Sequence, residues 1–274
     1  EIGMLNHLPE YANMPGIEPE QYWPIGEALW SFYNGSGRYS EGLEIFDACA
    51  QAAQQCDNAL AAVRLQGLVA HMLISLGRPQ AAMVRLKNSI KECEALKCED
   101  VLYSLIECRG ICHDALKDSE SALKCFQIAR AGYQALNNQR GCVIQDQLML
   151  RQYRKLGDWD KGREAARRAL RGIDRDKDEH TMANIMYETS ELYLQTGEYG
   201  QAREMACGAA LRYAKRGEKR RLGRALFVAA RAAKELHRYD DAVSYSKKAA
   251  EIYRGIGLSD GKEYQDFRKF IDGL

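Results

Sequence analysis

Apolar and small residues recur along this chain in helix-length stretches separated by short polar breaks, and the breaks return at a fixed interval. From Gln21 to Asn34 the residues Trp23, Leu29, Trp30 and Tyr33 share one helical face. Gly35-Ser36-Gly37 ends that stretch. The helical spacing resumes with Leu43, Phe46, Cys49 and Ala50, and Ser40 is the expected N-cap. The same pair of helices is predicted five more times. First helices fall at 59–76, 99–115, 140–156, 179–196 and 219–236, and their partners at 80–96, 119–136, 160–174, 200–216 and 240–256. Pro79 stands at the start of a second helix, where a missing N–H costs nothing. A last helix over 261–273 has Tyr264, Phe267 and Phe270 on one side and Lys262, Asp266 and Lys269 on the other.

The register does not drift. Gly37, Gly77, Lys117, Gly157, Gly197 and His237 are 40 residues apart. Tyr33, Leu73, His113, Tyr153, Tyr193 and Ala233 precede them by four, and Tyr39, Pro79, Ser119, Trp159, Tyr199 and Tyr239 follow by two. Small residues stand five places after the turn (Gly42, Ala82, Ala122, Gly162, Ala202, Ala242) and again at Cys49, Ser89, Ala129, Ala169, Ala209 and Ala249. A bulky side chain at the first of these small positions would force apart two helices crossing close to their turn. The second marks where the next unit comes down. The aromatic after the turn is expected to fill the wedge where the pair opens. The pattern implies an all-α chain, an α-solenoid of about six helix–turn–helix repeats over 21–258. Residues 259–274 form a C-terminal capping helix, and residues 1–20, with Pro9, Pro15, Gly16 and Pro19, form an irregular lead-in or linker.

Composition narrows the functional classes. The chain of 274 residues is 46% hydrophobic and 28% charged, with a net charge of +1, which argues against a dedicated polyanion binder. The charge is unevenly placed: residues 1–140 hold 12 Lys and Arg against 17 Asp and Glu, and residues 141–274 hold 27 against 21. Such asymmetry shapes partner choice rather than fold. No apolar run approaches the ~18 residues that span a bilayer. No basic-then-apolar leader opens the chain, and nine cysteines in no paired framework fit a reduced cytoplasmic or nuclear setting. A first residue of Glu1 rather than methionine suggests a piece of a longer protein.

Ser190, Tyr193, Gly197, Tyr199 and Ala202, followed by Ala206 and Ala209, resemble the core pattern of tetratricopeptide (TPR) repeats, and the resemblance extends over 23–256. Two features depart from that family. Its repeat is about 34 residues, and the proline that closes its second helix is absent, with Gln54, Glu94, Gln134, Asp174, Ala214 and Arg254 in its place. Longer helices and a polar inter-repeat turn (Asn137 to Arg140, Asp176 to Glu179) are expected to absorb the difference. Forty-residue repeats of this kind are similar to the arms of NB-ARC/STAND signalling ATPases and to cell-polarity adaptors.

The resemblance implies a right-handed α-solenoid with a groove lined by the exposed face of the first helices. In register that face carries Arg64, His71, Glu107, Gln147, Arg151, Arg154, Asn184, Tyr187, Glu191, Arg224, Phe227 and Arg231. The arginine forks suit the carboxylates of an acidic peptide, with Tyr187 and Phe227 packing its apolar side chains. The opposing reading is a set of solvated charges balanced by Glu188, Glu191 and Glu235 on neighbouring helices. A chaperone-type carboxylate clamp is not supported, because its lysine and asparagine positions hold Glu27, Gly67 and Glu107.

No reactive constellation emerges. Gly35-Ser36-Gly37 lacks the lysine of a phosphate loop, and no serine sits in a nucleophile elbow. Cys108, Cys112, His113 and Cys125 lack paired metal-ligand spacing and read as packing residues. The run Lys215 to Arg221 is interrupted by Glu218 and lies in a turn, which disfavours nucleic acid. The sequence therefore predicts no catalytic residue, no cofactor and no metal. It points to a protein-interaction scaffold that takes a protein or peptide ligand. The alternative is the sensor arm of a STAND ATPase, with a nucleotide-binding domain upstream in the same chain.

Overall fold

The computed structural model describes residues 19–174, 178–259 and 261–273; side chains are described from position 24 onward, apart from those of 31, 35 and 36. Residues 1–18 of the lead-in expected over 1–20, Asp176-Lys177 and the Trp23 side chain lie outside the described residues; Pro19 and Glu20 already belong to a helix. Thirteen helices are present among the described residues: α1 (Pro19–Ser36), α2 (Tyr39–Gln55), α3 (Ala59–Ser75), α4 (Pro79–Leu96), α5 (Glu99–Ala115), α6 (Ser119–Ala135), α7 (Gln139–Leu156), α8 (Trp159–Gly172), α9 (Glu179–Gln195), α10 (Tyr199–Lys215), α11 (Lys219–Glu235), α12 (Tyr239–Gly255) and α13 (Lys262–Asp272). They fall into two compact units, Glu1–Asn138 and Gln139–Leu274. Each unit stacks three helical hairpins, with first helices also touching the next first helix of the same unit, and α13 packs on α12.

Most helices are 17 residues long and are joined by three-residue turns, so the 40-residue repeat is two like halves of 20. The turn between repeats is built as the turn within them. Gly37, Gly77, Gly157 and Gly197 have φ of 74, 72, 74 and 81°, and Lys117 and His237 hold 64 and 57° at the same register. Halfway between stand Asp57, Lys97, Asn137, Gly217 and Gly257, at 54, 55, 53, 69 and 74°. Most of them close the preceding helix with paired bonds, as in Gly77 N to Ile74 O (2.9 Å) and Arg78 N to Leu73 O (2.8 Å). These are the two bonds of a Schellman cap. Gln139 and Arg140 are therefore already helical, and no longer polar turn separates the third and fourth repeats.

A side chain at positive φ costs about 1 kcal/mol or more relative to glycine. Lys117→Gly and His237→Gly are expected to raise stability by about that amount in urea denaturation. Gly197→Ala, where a Cβ meets nothing within 4 Å, is expected to lower it by a similar amount through backbone strain alone.

The small positions do what steric reasoning demands. A Cβ on Gly42 would stand 2.9 Å from Met72 Sδ and 3.0 Å from Tyr33 Cβ. One on Gly162, three repeats on, would stand 3.3 Å from Leu192 and 3.8 Å from Tyr153. The contacts match residue for residue at intervals of 120. Cys49, Ser89, Ala129, Ala169, Ala209 and Ala249 are all buried.

Two local expectations are corrected. Arg38, not Ser40, is the N-cap of α2, and it makes no side-chain cap bond. Ser40 falls inside the first turn because the helix starts directly after the left-handed Gly37. Tyr239 is 48% exposed, against His237 at a ring separation of 6.1 Å, so it fills no wedge. As the first residue of α12 it lies at the rim. Tyr199, at the same register, is partly buried against the core of its unit; the buried aromatics include those before the turn, Tyr33 and Tyr153, and a set near the ends of second helices, Tyr133, Tyr213 and Tyr253.

Candidate binding face on the first helices

The three first helices of the second unit, and α13 after them, carry charges of alternating sign. Arg151 Nε on α7 donates to Glu188 Oε1 on α9 at 2.7 Å, and Arg154 Nη2 donates to Glu188 Oε2 at 3.2 Å. Arg154 also lies 3.9 Å from Glu191, which accepts from Tyr187 Oη at 3.1 Å. The Arg224 guanidinium of α11 sits 5.1 Å over the Tyr187 ring and 3.6 Å from Glu263 of α13. Glu263 in turn accepts from Arg220 (3.2 Å) and Tyr253 Oη (2.7 Å). Glu188 is buried. Burial pushes its carboxyl up, and the two guanidiniums more than offset that, holding it below the usual carboxylate range.

The residues expected on this face are not equally open. Gln147, Arg151 and Arg154 share one side of α7 at i, i+4 and i+7, yet Gln147 is only 5% exposed. Tyr187 is buried too, and Phe227 is packed by Phe267 (4.6 Å) and Phe270 (5.3 Å) of α13. The expectation of an open apolar surface at Tyr187 and Phe227 is thus corrected: α9 and α11 stack closely, and α13 lies on α11. Asn184 accepts from Tyr213 Oη at 2.8 Å and lies 3.2 Å from His180. Arg231 is half-buried with no ion pair among the described residues. Two donors of α7, Gln147 Nε2 and Arg154 Nε, are buried without an acceptor.

In the first unit the corresponding residues are dispersed. Arg64 lies 3.3 Å from Asp100, His71 packs on Trp30 at 5.1 Å, and Glu107 accepts from Tyr133 Oη at 3.3 Å. Burial pulls the His71 imidazole down to about 4, so it is neutral at physiological pH.

Sequence reasoning missed three contributors. Tyr133, Tyr213 and Tyr253 keep the 40-residue register, and each donates to a polar side chain of a first helix or of α13. Glu188 was read as a solvated counter-charge, whereas it is the buried anchor of both α7 arginines. Gln145 and Gln152, each fully buried, stand at registers held elsewhere by Leu65, Leu105 and Ile185, and by Met72, Cys112 and Leu192. Neither side-chain polar atom of Gln152 has a partner. An unsatisfied buried amide costs about 1–3 kcal/mol. Gln152→Leu is therefore expected to raise the thermal midpoint by several degrees, read by circular dichroism.

The basic run is partly neutralised within its own turn. Arg216 and Arg221 both bind Glu218, at 2.7 and 2.8 Å, and His180 Nδ1 lies 2.9 Å from it. Burial raises the Glu218 carboxyl, and its His180 and Arg216 hydrogen bonds reverse this to hold it at about 2. Cys108, Cys112 and Cys125 are buried, and His113 pairs with Asp118 at 3.3 Å. Among the described residues no group of three His, Cys, Asp or Glu could hold a metal, and no helix is long and apolar enough to cross a membrane.

No protein-family model matches the chain. No curated protein matches it either. Solved structures do, and they are TPR-like repeat proteins. A Rap protein complexed with Competence and Sporulation Factor aligns with a TM-score of 0.71 at 18% identity, over 93% of this chain and 70% of that one. The apo quorum sensor NprR from B. thuringiensis aligns at 0.68 and 13%, over 95% and 76%. A STAND protein with a tetratricopeptide repeat sensor from Pyrococcus horikoshii aligns at 0.60 and 15%, over 91% of this chain and 43% of that one. The chain has the fold of TPR-like helical repeats.

Proposed function

We propose that this chain is a non-catalytic interaction module and that the first-helix face of the second unit captures an acidic segment of a partner protein. One observation carries the reading: the part-exposed guanidiniums of Arg151 on α7 and of Arg224 and Arg231 on α11 share the first-helix register of one unit. Three planar forks in that register fit a ligand rich in acceptors, carboxylates above all. The excess of 27 basic over 21 acidic residues in 141–274 favours the same sign of partner. The likeness to a Rap protein solved with Competence and Sporulation Factor and to a quorum sensor is in keeping with a binding role.

The test is an array of acidic ten-residue peptides and their lysine-substituted counterparts, probed with the full chain. Arg151→Glu with Arg224→Glu should abolish capture of the acidic set. Arg231→Leu, which removes a half-buried guanidinium with no ion pair among the described residues, should weaken capture by about fivefold, or 1 kcal/mol. Undiminished capture by both variants would contradict the assignment.

A second reading is a sensor arm that controls assembly of a nucleotide-dependent switch. The likeness to the P. horikoshii STAND protein favours it. It requires nucleotide-dependent oligomers of a longer chain carrying an NTPase module, and oligomers indifferent to nucleotide would exclude it.

A further inference from the structure

Cys93 and Cys98 occupy the two positions of the α4 cap that a Schellman motif brings together. Cys93 stands three residues before the last residue of α4, Leu96; Lys97 then adopts the left-handed conformation at φ 55°, and Cys98 comes next, as the N-cap of α5. Cys98 N donates to Cys93 O at 3.4 Å, and Cys93 Sγ lies 3.2 Å from Cys98 O. Contact between these two side-chain positions is a regular feature of the Schellman cap. In other repeats the same two positions hold Tyr133 and Asn138, Tyr213 and Glu218, or Tyr253 and Leu258. Only this turn places two thiols there.

We propose that Cys93 and Cys98 are a thiol pair that closes to a disulfide by exchange with a small-molecule disulfide such as oxidised glutathione. The two sulfurs differ in access. Cys98 is half-buried and Cys93 is fully buried, so Cys98 meets the oxidant first. The Cys98 thiolate attacks one sulfur of oxidised glutathione and releases one glutathione thiolate, leaving a mixed disulfide on Cys98. Cys93, giving up its proton to solvent, then attacks the Cys98 sulfur and expels the second glutathione. Two protein thiols are oxidised, one S–S bond forms, one S–S bond is lost, and two glutathione thiols result. Burial, with Cys98, Asp100 and Glu94 nearby, pushes the Cys93 thiol up to about 11, which makes it the slower resolving partner.

Cys56 and Cys207 are half-buried as Cys98 is, but neither has a second cysteine five residues away in the chain. Cys108 and Cys112 are buried, and burial pushes the Cys112 thiol up to about 12. The bond would staple the end of α4 to the start of α5, two residues before Asp100, which pairs with Arg64 on the first-helix face. Oxidation would thereby fix one turn of the first unit without touching the second.

The test treats the folded full chain with oxidised glutathione, blocks remaining thiols, digests without reductant and maps peptides by mass. The expected product is a fragment containing both residues, lighter by two hydrogens, unblocked, and restored by reductant. Amide exchange at Lys97 and Cys98 should slow by about tenfold or more in the oxidised chain. In Cys93→Ser the expected product is a persistent glutathione adduct on Cys98. A wild-type chain that stops at that same adduct, leaves both thiols free, or pairs Cys98 with a different cysteine would overturn the proposal.

Discussion

Glu188→Leu is expected to destabilise the second unit by about 3–5 kcal/mol, the largest effect of any single change on the charged face. The substitution leaves Arg151 and Arg154 without their shared buried carboxylate, and breaking one side of a buried pair strands the opposite charge. Glu188→Gln keeps the shape and should cost less, because an amide oxygen still accepts from one guanidinium. Urea denaturation monitored at 222 nm checks both. The pH dependence has a definite sign. The folded carboxyl lies below its ordinary value of 4.5, so its stabilisation is complete above that value and is lost as the pH falls through the folded one. Wild-type stability should therefore drop below about pH 4.5 by more than that of Glu188→Gln. Equal acid sensitivity of the two proteins would show that the pair contributes nothing.

Ala209→Leu should cost about 1–3 kcal/mol or more, for a reason unrelated to charge. Ala209 is fully buried, at a register where each repeat holds a small residue. Three extra carbons there must displace packed neighbours. Leu211, two residues along the same helix, is 58% exposed, and Leu211→Ala should change stability by no more than about 0.5 kcal/mol. Thermal melts of both variants separate a stack that depends on register from one that depends only on apolar content. A tolerated Ala209→Leu would contradict the packing described for α10.

The helices were legible because each is long and periodic. Glycine at 37, 77, 157 and 197 announced the turn within a repeat. The turn between repeats was harder to see: Asp57, Lys97 and Asn137 adopt the same left-handed conformation without a glycine to mark it. Its identity with the first turn emerges only from the backbone, and it explains the 40-residue length. The face of the first helices was legible as register positions but not as surroundings. Nothing local in the chain says that α13 covers Phe227, or that Glu188 lies deep enough to hold two arginines. Both follow from how closely helices of successive repeats approach. The buried glutamines of α7 also escaped, since amphipathic spacing treats Gln145 and Gln152 as polar and therefore outward. Between stacked helices a polar residue can be enclosed on every side.

The central claim is that the docking surface lies on the first helices of the second unit. Its most direct test is the footprint of a captured acidic peptide, measured as slowed amide exchange on the full chain. The account predicts protection within α7, α9 and α11, strongest near Gln147, Arg151 and Arg154, with the second helices unchanged. Protection confined to α8 and α10, with α7 and α9 exchanging as in the free chain, would contradict it.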